Sequence, residues 1–265
     1  MNPSVKPYVG AYLRQAPLFM AIVRGVECAM LREAAPEGEP LLDLGCGDGV
    51  FASLALVRRP SVGMDPSFRA LREAKERRAH LALVCGSATE MPFRSGAIHL
   101  IVCNSVLEHI PDLDDVLMEC RRTLVPHGRL IVTSPSERFG EMLLGARMLT
   151  RLGFSRAGMA YARWFNAHSL HYHTLPAEEW LRKLDVAGFR VRAHWHYLGQ
   201  AAHATFDLMH YLSGWRWIRR RLTGRWCGSA APLNRLWTQW FTRLTEESWP
   251  AETGPYLYLD AERKD

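Results

Sequence analysis

Short apolar runs at 41–44, 61–65, 81–85 and 98–103 alternate along the chain with segments whose apolar residues recur three and four apart. The first pattern predicts buried strands and the second predicts amphipathic helices, as in Leu113, Val116, Leu117, Cys120 and Leu124 within 112–124. That helix carries Asp112 at its start, Asp114 and Asp115 in its first turn, and Arg121 and Arg122 in its last, each sign suited to the helix dipole. Strand and helix in alternation imply a parallel sheet with crossover helices on both faces. A fifth strand is predicted at 129–133, after which the rhythm changes. Residues 136–170 are helical by composition, a helix follows Pro176 and ends at Gly188, and 189–195 form a sixth strand. Ahead of the sheet, Leu18, Ile22, Val26 and Met30 mark one stripe of a helix within 11–35 that Pro36, Gly38 and Pro40 terminate.

The run from Leu41 to Ala52 restricts the chain most. An apolar segment is broken by Gly45, Gly47 and Gly49 and resumes as Val50, Phe51 and Ala52, which reads as strand, tight turn, helix. Glycine suits such a turn because a Cβ would block both positive φ angles and the close approach of backbone to a ligand. The spacing departs from the dinucleotide fingerprint Gly-x-Gly-x-x-Gly, since the third glycine comes one residue early. Asp65 ends the second strand 22 positions after Asp43, consistent with a carboxylate that reaches a ribose hydroxyl pair.

The string Leu42-Asp43-Leu44-Gly45-Cys46-Gly47-Asp48-Gly49 resembles the class I S-adenosylmethionine-dependent methyltransferases, in particular their small-molecule group. The resemblance extends over about 41–135, including Asn104-Ser-Val-Leu-Glu-His-Ile110 after the fourth strand, and more weakly over 174–196. It implies an α/β fold with a Rossmann-like seven-stranded, mostly parallel sheet whose last strand is antiparallel. The candidate for that strand is 256–261. The implied organisation is an N-terminal helical cap (1–40), the cofactor-binding core (41–135), a first lid insertion (136–173), a core continuation (174–197), a second lid insertion (198–253) and the final strand (254–265). Both insertions leave from the carboxyl ends of strands, where open α/β sheets bind ligands, so they are expected to form one helical lid. The cofactor implied is S-adenosylmethionine, held by Asp43, Gly45, Cys46, Gly47, Gly49, Asp65, Ser87, Ala88 and Asn104. Ser87 stands where relatives commonly carry an acid, so the adenine contact is expected through it and the backbone of Ala88. The Pro-Pro-aromatic motif that often follows the fourth strand in methyltransferases of base amines is absent, which argues against a nucleic-acid substrate.

Composition changes this picture little. At 265 residues, with 48% hydrophobic and 23% charged residues, the chain is globular in character. Its net charge of +6 suits an arginine-rich solvated surface, or peripheral contact with anionic membrane. Six cysteines without a Cys-x-x-Cys pair are expected to be reduced, and the short apolar stretch 18–23 neither spans a membrane nor forms a signal peptide, so the expected location is cytoplasmic. Six tryptophans lie in the second insertion, three of them (Trp237, Trp240 and Trp249) late in it; Trp240 and Phe241 beside Leu236 and Leu244 read as one helix face, whereas Trp215 to Arg221 mixes rings and guanidinium groups as an interfacial segment does.

Methyl transfer from a sulfonium is an in-line displacement that often requires removal of a proton from the acceptor. His109 and His171 are the candidate general bases. The spacing of His168, His171 and His173 lacks the usual zinc pattern and no carboxylate-rich magnesium site is evident, so no metal is expected. The expected function is metal-independent methylation of a small or lipid-like acceptor. The alternatives are a nucleic-acid methyltransferase and a non-catalytic S-adenosylmethionine-binding protein.

Overall fold

The computed structural model describes residues 4–34, 37–214, 218, 221–222, 231–246 and 249–265. The chain divides into two compact units, one of residues 34–137, 170–195 and 256–265, the other of residues 1–33, 138–169 and 196–255. Trp215, Trp217, Trp226, Arg219, Arg220 and Cys227 lie outside the described residues.

The first unit is built on a seven-stranded sheet in the order β3-β2-β1-β4-β5-β7-β6. The strands are β1 (Leu41–Leu44), β2 (Val62–Asp65), β3 (Ala82–Cys85), β4 (Ile98–Asn104), β5 (Leu124–Pro135), β6 (Phe189–Tyr197) and β7 (Tyr256–Arg263). β1 pairs in parallel with β2 and β4, β2 with β3 and β4 with β5, while β7 runs antiparallel to β5, as the sequence predicts. β1 is buried along its whole length and β4 nearly so, which explains why they read as continuous apolar runs. Four helices belong to this unit: α3 (Val50–Ala55), α4 (Phe68–Arg77), α5 (Leu113–Thr123) and α8 (Ala177–Val186). Ser67 caps α4 by accepting the Ala70 N–H. The core joins Leu113, Val116 and Leu117 of α5 and Trp180 and Leu184 of α8 to Leu130, Leu257 and Leu259 of the sheet.

β5 and β7 are longer than their apolar stretches. Their ladder runs from Arg129 opposite Glu262 to Pro135 opposite Tyr256, and the Arg129 guanidinium pairs with Asp260 at 2.7 Å. Cross-strand ion pairing thus extends pairing into positions that carry charge.

The second unit is helical. Its N-terminal part is two helices, α1 (Lys6–Gln15) and α2 (Leu18–Ala34), where a single one within 11–35 is expected. Ala16 is extended (φ −146°, ψ 169°) ahead of Pro17, whose ring disfavours a helical predecessor and which offers no N–H. The stripe Leu18, Ile22, Val26 and Met30 is buried as expected. Within this unit Glu27 is fully buried and receives hydrogen bonds from Arg24 (2.6 Å) and the Tyr197 hydroxyl (2.7 Å). α6 (Leu144–Arg151) and α7 (Ser155–His168) form a hairpin around Gly153, and α9 (Gln200–Leu212) and α10 (Ala231–Thr245) follow. On α10 the expected face is split: Phe241 is buried, while Leu236 and Trp240 are exposed. Phe241 shares its stripe with Thr245, four residues on, whereas Leu236 and Trp240 form a neighbouring stripe.

Candidate functional site

β1 ends at Leu44 and the chain turns back through Gly45, Gly47 and Gly49, all with positive φ (73°, 53° and 77°). Two of these glycines have distinct uses. A Cβ on Gly45 would stand 2.3 Å from the Val106 side chain, so this residue lets the loop lie against the segment after β4. A Cβ on Gly47 would meet nothing within 4 Å, so here the backbone faces open space. The Gly47 N–H donates to Asp65 Oδ2 at 2.9 Å, and the Ser67 N–H donates to Oδ1 at 2.8 Å. The carboxylate at the end of β2 is thereby fixed by both flanking turns, with a further lone pair on each oxygen.

A cavity of about 360 Å³ opens there. Gly45, Asp65, Ser87, Ala88 and His109 line it, together with Met64, Ser105 and Val106. Ser87 Oγ lies 2.7 Å from Thr89 Oγ1 and accepts the Thr89 N–H.

The remaining candidates lie elsewhere. Asp43 is buried, with Oδ2 2.8 Å from Nε2 of the equally buried His80. Cys46 is buried, and burial with nearby Asp43 and Asp65 raises its thiol pKa. Gly49 packs against Ala79 and Ala74. Asn104 is buried and accepts from Thr133 Oγ1 at 2.9 Å, tying β4 to β5.

The sequence does not single out His80, because its role shows only in the strand register. Asp43 stands opposite Gly63 in the ladder. A Cβ on Gly63 would be 2.7 Å from the His80 ring, so the glycine is what admits the imidazole to the carboxylate.

The two candidate bases come together with their rings 5.4 Å apart. His109 Nδ1 lies 3.1 Å from the Leu170 carbonyl, which can only accept. Nδ1 therefore carries the proton and Nε2 the lone pair in the neutral ring. Burial, with His109 close by, lowers the His171 pKa to about 3. A ring that holds a proton so weakly is a poor general base at neutral pH. Of the other two histidines in that stretch, His168 belongs to α7 of the helical unit, and His173 Nε2 is held by the carbonyls of Ile110 (2.9 Å) and Pro111 (3.0 Å).

A glycine turn at the carboxyl end of β1, an acid at the end of β2 and a cavity between them are the features with which open α/β sheets hold ribose-bearing cofactors. Residues 42–132 match the model of the methyltransferase domain family. A demethylmenaquinone methyltransferase of Beutenbergia cavernae is 32% identical over 62% of this chain and 69% of its own length. A malonyl-[acyl-carrier protein] O-methyltransferase of Legionella pneumophila is 37% identical over 36% of this chain and 35% of its own. The crystal structure of a methyltransferase from Thermotoga maritima covers 93% of this chain and 92% of its own with a TM-score of 0.57 at 16% identity, a likeness of fold. The chain belongs to the S-adenosylmethionine-dependent methyltransferases. It spans 31%, 53% and 35% of the lengths of matching relatives from Streptomyces fradiae, Mycolicibacterium smegmatis and Legionella pneumophila.

The site suits the cofactor of that family. Gly47 leaves space where any side chain would intrude, and each Asp65 oxygen keeps a lone pair open to a donor.

Proposed function

We propose that this protein transfers a methyl group from S-adenosylmethionine to a small, amphiphilic or lipid-like acceptor. The observation that carries the reading is the cavity at the ends of β1, β2 and β4, where Asp65 is pinned by the Gly47 N–H. In this reading Asp65 holds the ribose, Gly45 and Gly47 let the backbone approach, and Ser87 with the Ala88 backbone faces the adenine. Bound S-adenosylmethionine supplies an electrophilic methyl on a sulfonium. The chain's part is to align the acceptor with that methyl and to keep water out. The apolar cavity walls, Met64, Ala88 and Val106, serve the second task.

Support for a lipid-like acceptor comes from the helical unit and from relatives. From residue 142 to 177 the chain has no Asp or Glu and four arginines, at 147, 151, 156 and 163. On the α6–α7 hairpin, Met148, Leu152, Phe154, Met159 and Trp164 are each at least half exposed. Large apolar side chains interleaved with arginine are the composition of a surface that rests on anionic lipid. A second cavity of about 580 Å³ in this unit is walled by Met142, Met159, Arg147, Arg151 and the Arg138–Glu141 pair, a net-basic lining suited to an anionic amphiphile. One relative is named as a demethylmenaquinone methyltransferase and another as a ubiquinone biosynthesis O-methyltransferase, and quinones of that kind are lipid-like. Among the described residues no helix is long and apolar enough to cross a membrane.

The test is transfer of labelled methyl from S-adenosylmethionine to a panel of hydroquinones, acyl thioesters, a lipid extract and total RNA. The expected result is label in an organic-soluble, non-nucleic product. Label in RNA alone would overturn the acceptor class, and tight cofactor binding without turnover on any acceptor would favour a binding protein.

A further inference from the structure

We propose that Glu108, His109 and His171 form a site for one divalent transition-metal ion, Zn²⁺ or a first-row neighbour, at the rim of the cofactor cavity. Each residue offers one ligand atom, and the three atoms lie within 4.8 Å of one another. Glu108 Oε1 and His109 Nε2 are 3.9 Å apart, too far for a hydrogen bond. Ligands around a tetrahedral zinc with bonds of about 2.1 Å stand about 3.4 Å from each other. Ligation therefore draws the three atoms together, the widest separation by up to about 1.4 Å.

The surroundings have the form that metal ligation requires. The proton on His109 Nδ1 points to the Leu170 carbonyl and leaves Nε2 as the ligand atom, the outer-sphere arrangement that fixes the tautomer of metal-bound histidines. The two ligand segments are also clamped to each other. The Tyr172 N–H donates to the Glu108 carbonyl at 2.8 Å and the His173 N–H to the same oxygen at 3.4 Å, while the His173 ring is held by the carbonyls of Ile110 and Pro111. His171 sits between these anchors, so its ring is carried on backbone that is fixed relative to Glu108. Two imidazoles and one carboxylate favour zinc, iron, cobalt or nickel over magnesium or calcium, which prefer all-oxygen shells.

This arrangement replaces the general-base role expected for the two histidines by ligation. It also departs from the expectation of no metal, which weighed His168, His171 and His173 as a local motif; only His171 of that trio enters the cluster, and its partners come from sixty residues upstream. Three protein ligands leave a coordination position for water or an acceptor oxygen. That use of the ion rests on the methyltransferase reading, whereas binding of the ion does not.

The experiment is calorimetric titration of untagged, chelator-treated protein with Zn²⁺, paired with Co²⁺ titration followed by visible absorption. The expected result is one tight equivalent, with affinity lower by at least about 10-fold in His109→Ala and in His171→Ala, the least that loss of even an outer-sphere partner costs. His109 is half-exposed, so its variant keeps the fold, verified by circular dichroism. No tight equivalent in the parent, or parent-like affinity in both variants, would overturn the site. Titration of the same samples with S-adenosylmethionine separates the readings: zinc bound without cofactor sinks the proposed methyl transfer at this cavity and leaves the metal site standing.

Discussion

Asp65 and Asp43 show how two carboxylates flanking one glycine loop are put to different uses. Asp65 is held by N–H groups from the loop and from the turn before α4, at the edge of a cavity. Asp43 is buried beneath the loop against His80. His80→Ala would leave that buried carboxylate without its imidazole, and losing one member of a buried pair costs about 3 kcal/mol. Urea unfolding should show this loss as a lower midpoint; an unchanged midpoint would mean that the pair contributes nothing to stability. The sequence made Asp65 legible because its spacing from the loop has a chemical reason. His80 was not legible because its role depends on the absence of a Cβ at Gly63, in the neighbouring strand, which only strand register reveals.

At the scale of elements, the centre of the parallel core was readable because β1 is buried along its length and β4 nearly so, and they therefore appear as apolar runs. The ends of β5 and β7 were not, since Arg129 of β5 pairs with Asp260 of β7, and Glu262 pairs with Arg190 and Arg192 of β6, where the sequence shows charge instead of an apolar run. Helix boundaries failed where one proline outweighed periodicity, as at Pro17 between α1 and α2. The packing of α9 in the helical unit carries its own prediction. His203 is fully buried, its Nε2 donates to the Phe139 carbonyl at 2.9 Å, and burial lowers its pKa to about 4. Between pH 6.5 and 4 the unfolded chain binds a proton at this residue that the folded chain does not, so stability falls as pH falls through that window. The full effect is about 3 kcal/mol. His203→Gln, which retains a donor for the Phe139 carbonyl, should flatten the pH dependence of the unfolding free energy; a slope unchanged from the parent would remove His203 as its source.

For the whole molecule, the sheet unit carries the cavity and the helical unit carries a basic, apolar hairpin. If the hairpin meets lipid, the protein should float with vesicles containing anionic lipid and less so with neutral ones, and the double variant Leu152→Ser, Phe154→Ser should lose most of that association. Flotation independent of lipid charge and of both side chains would remove the membrane surface while leaving the acceptor class open to the transfer assay. The central claim concerns the cavity at the carboxyl ends of β1, β2 and β4, and calorimetric titration with S-adenosylmethionine of the parent, Gly47→Val and Asp65→Ala tests it most directly. The account predicts one binding event per chain in the parent, no measurable binding in Gly47→Val because a branched side chain would fill the space the backbone keeps clear, and affinity weakened about 10-fold or more in Asp65→Ala, one to two hydrogen bonds to a charged acceptor being lost. Parent-like affinity in both variants would contradict it, because the cofactor would then be held elsewhere.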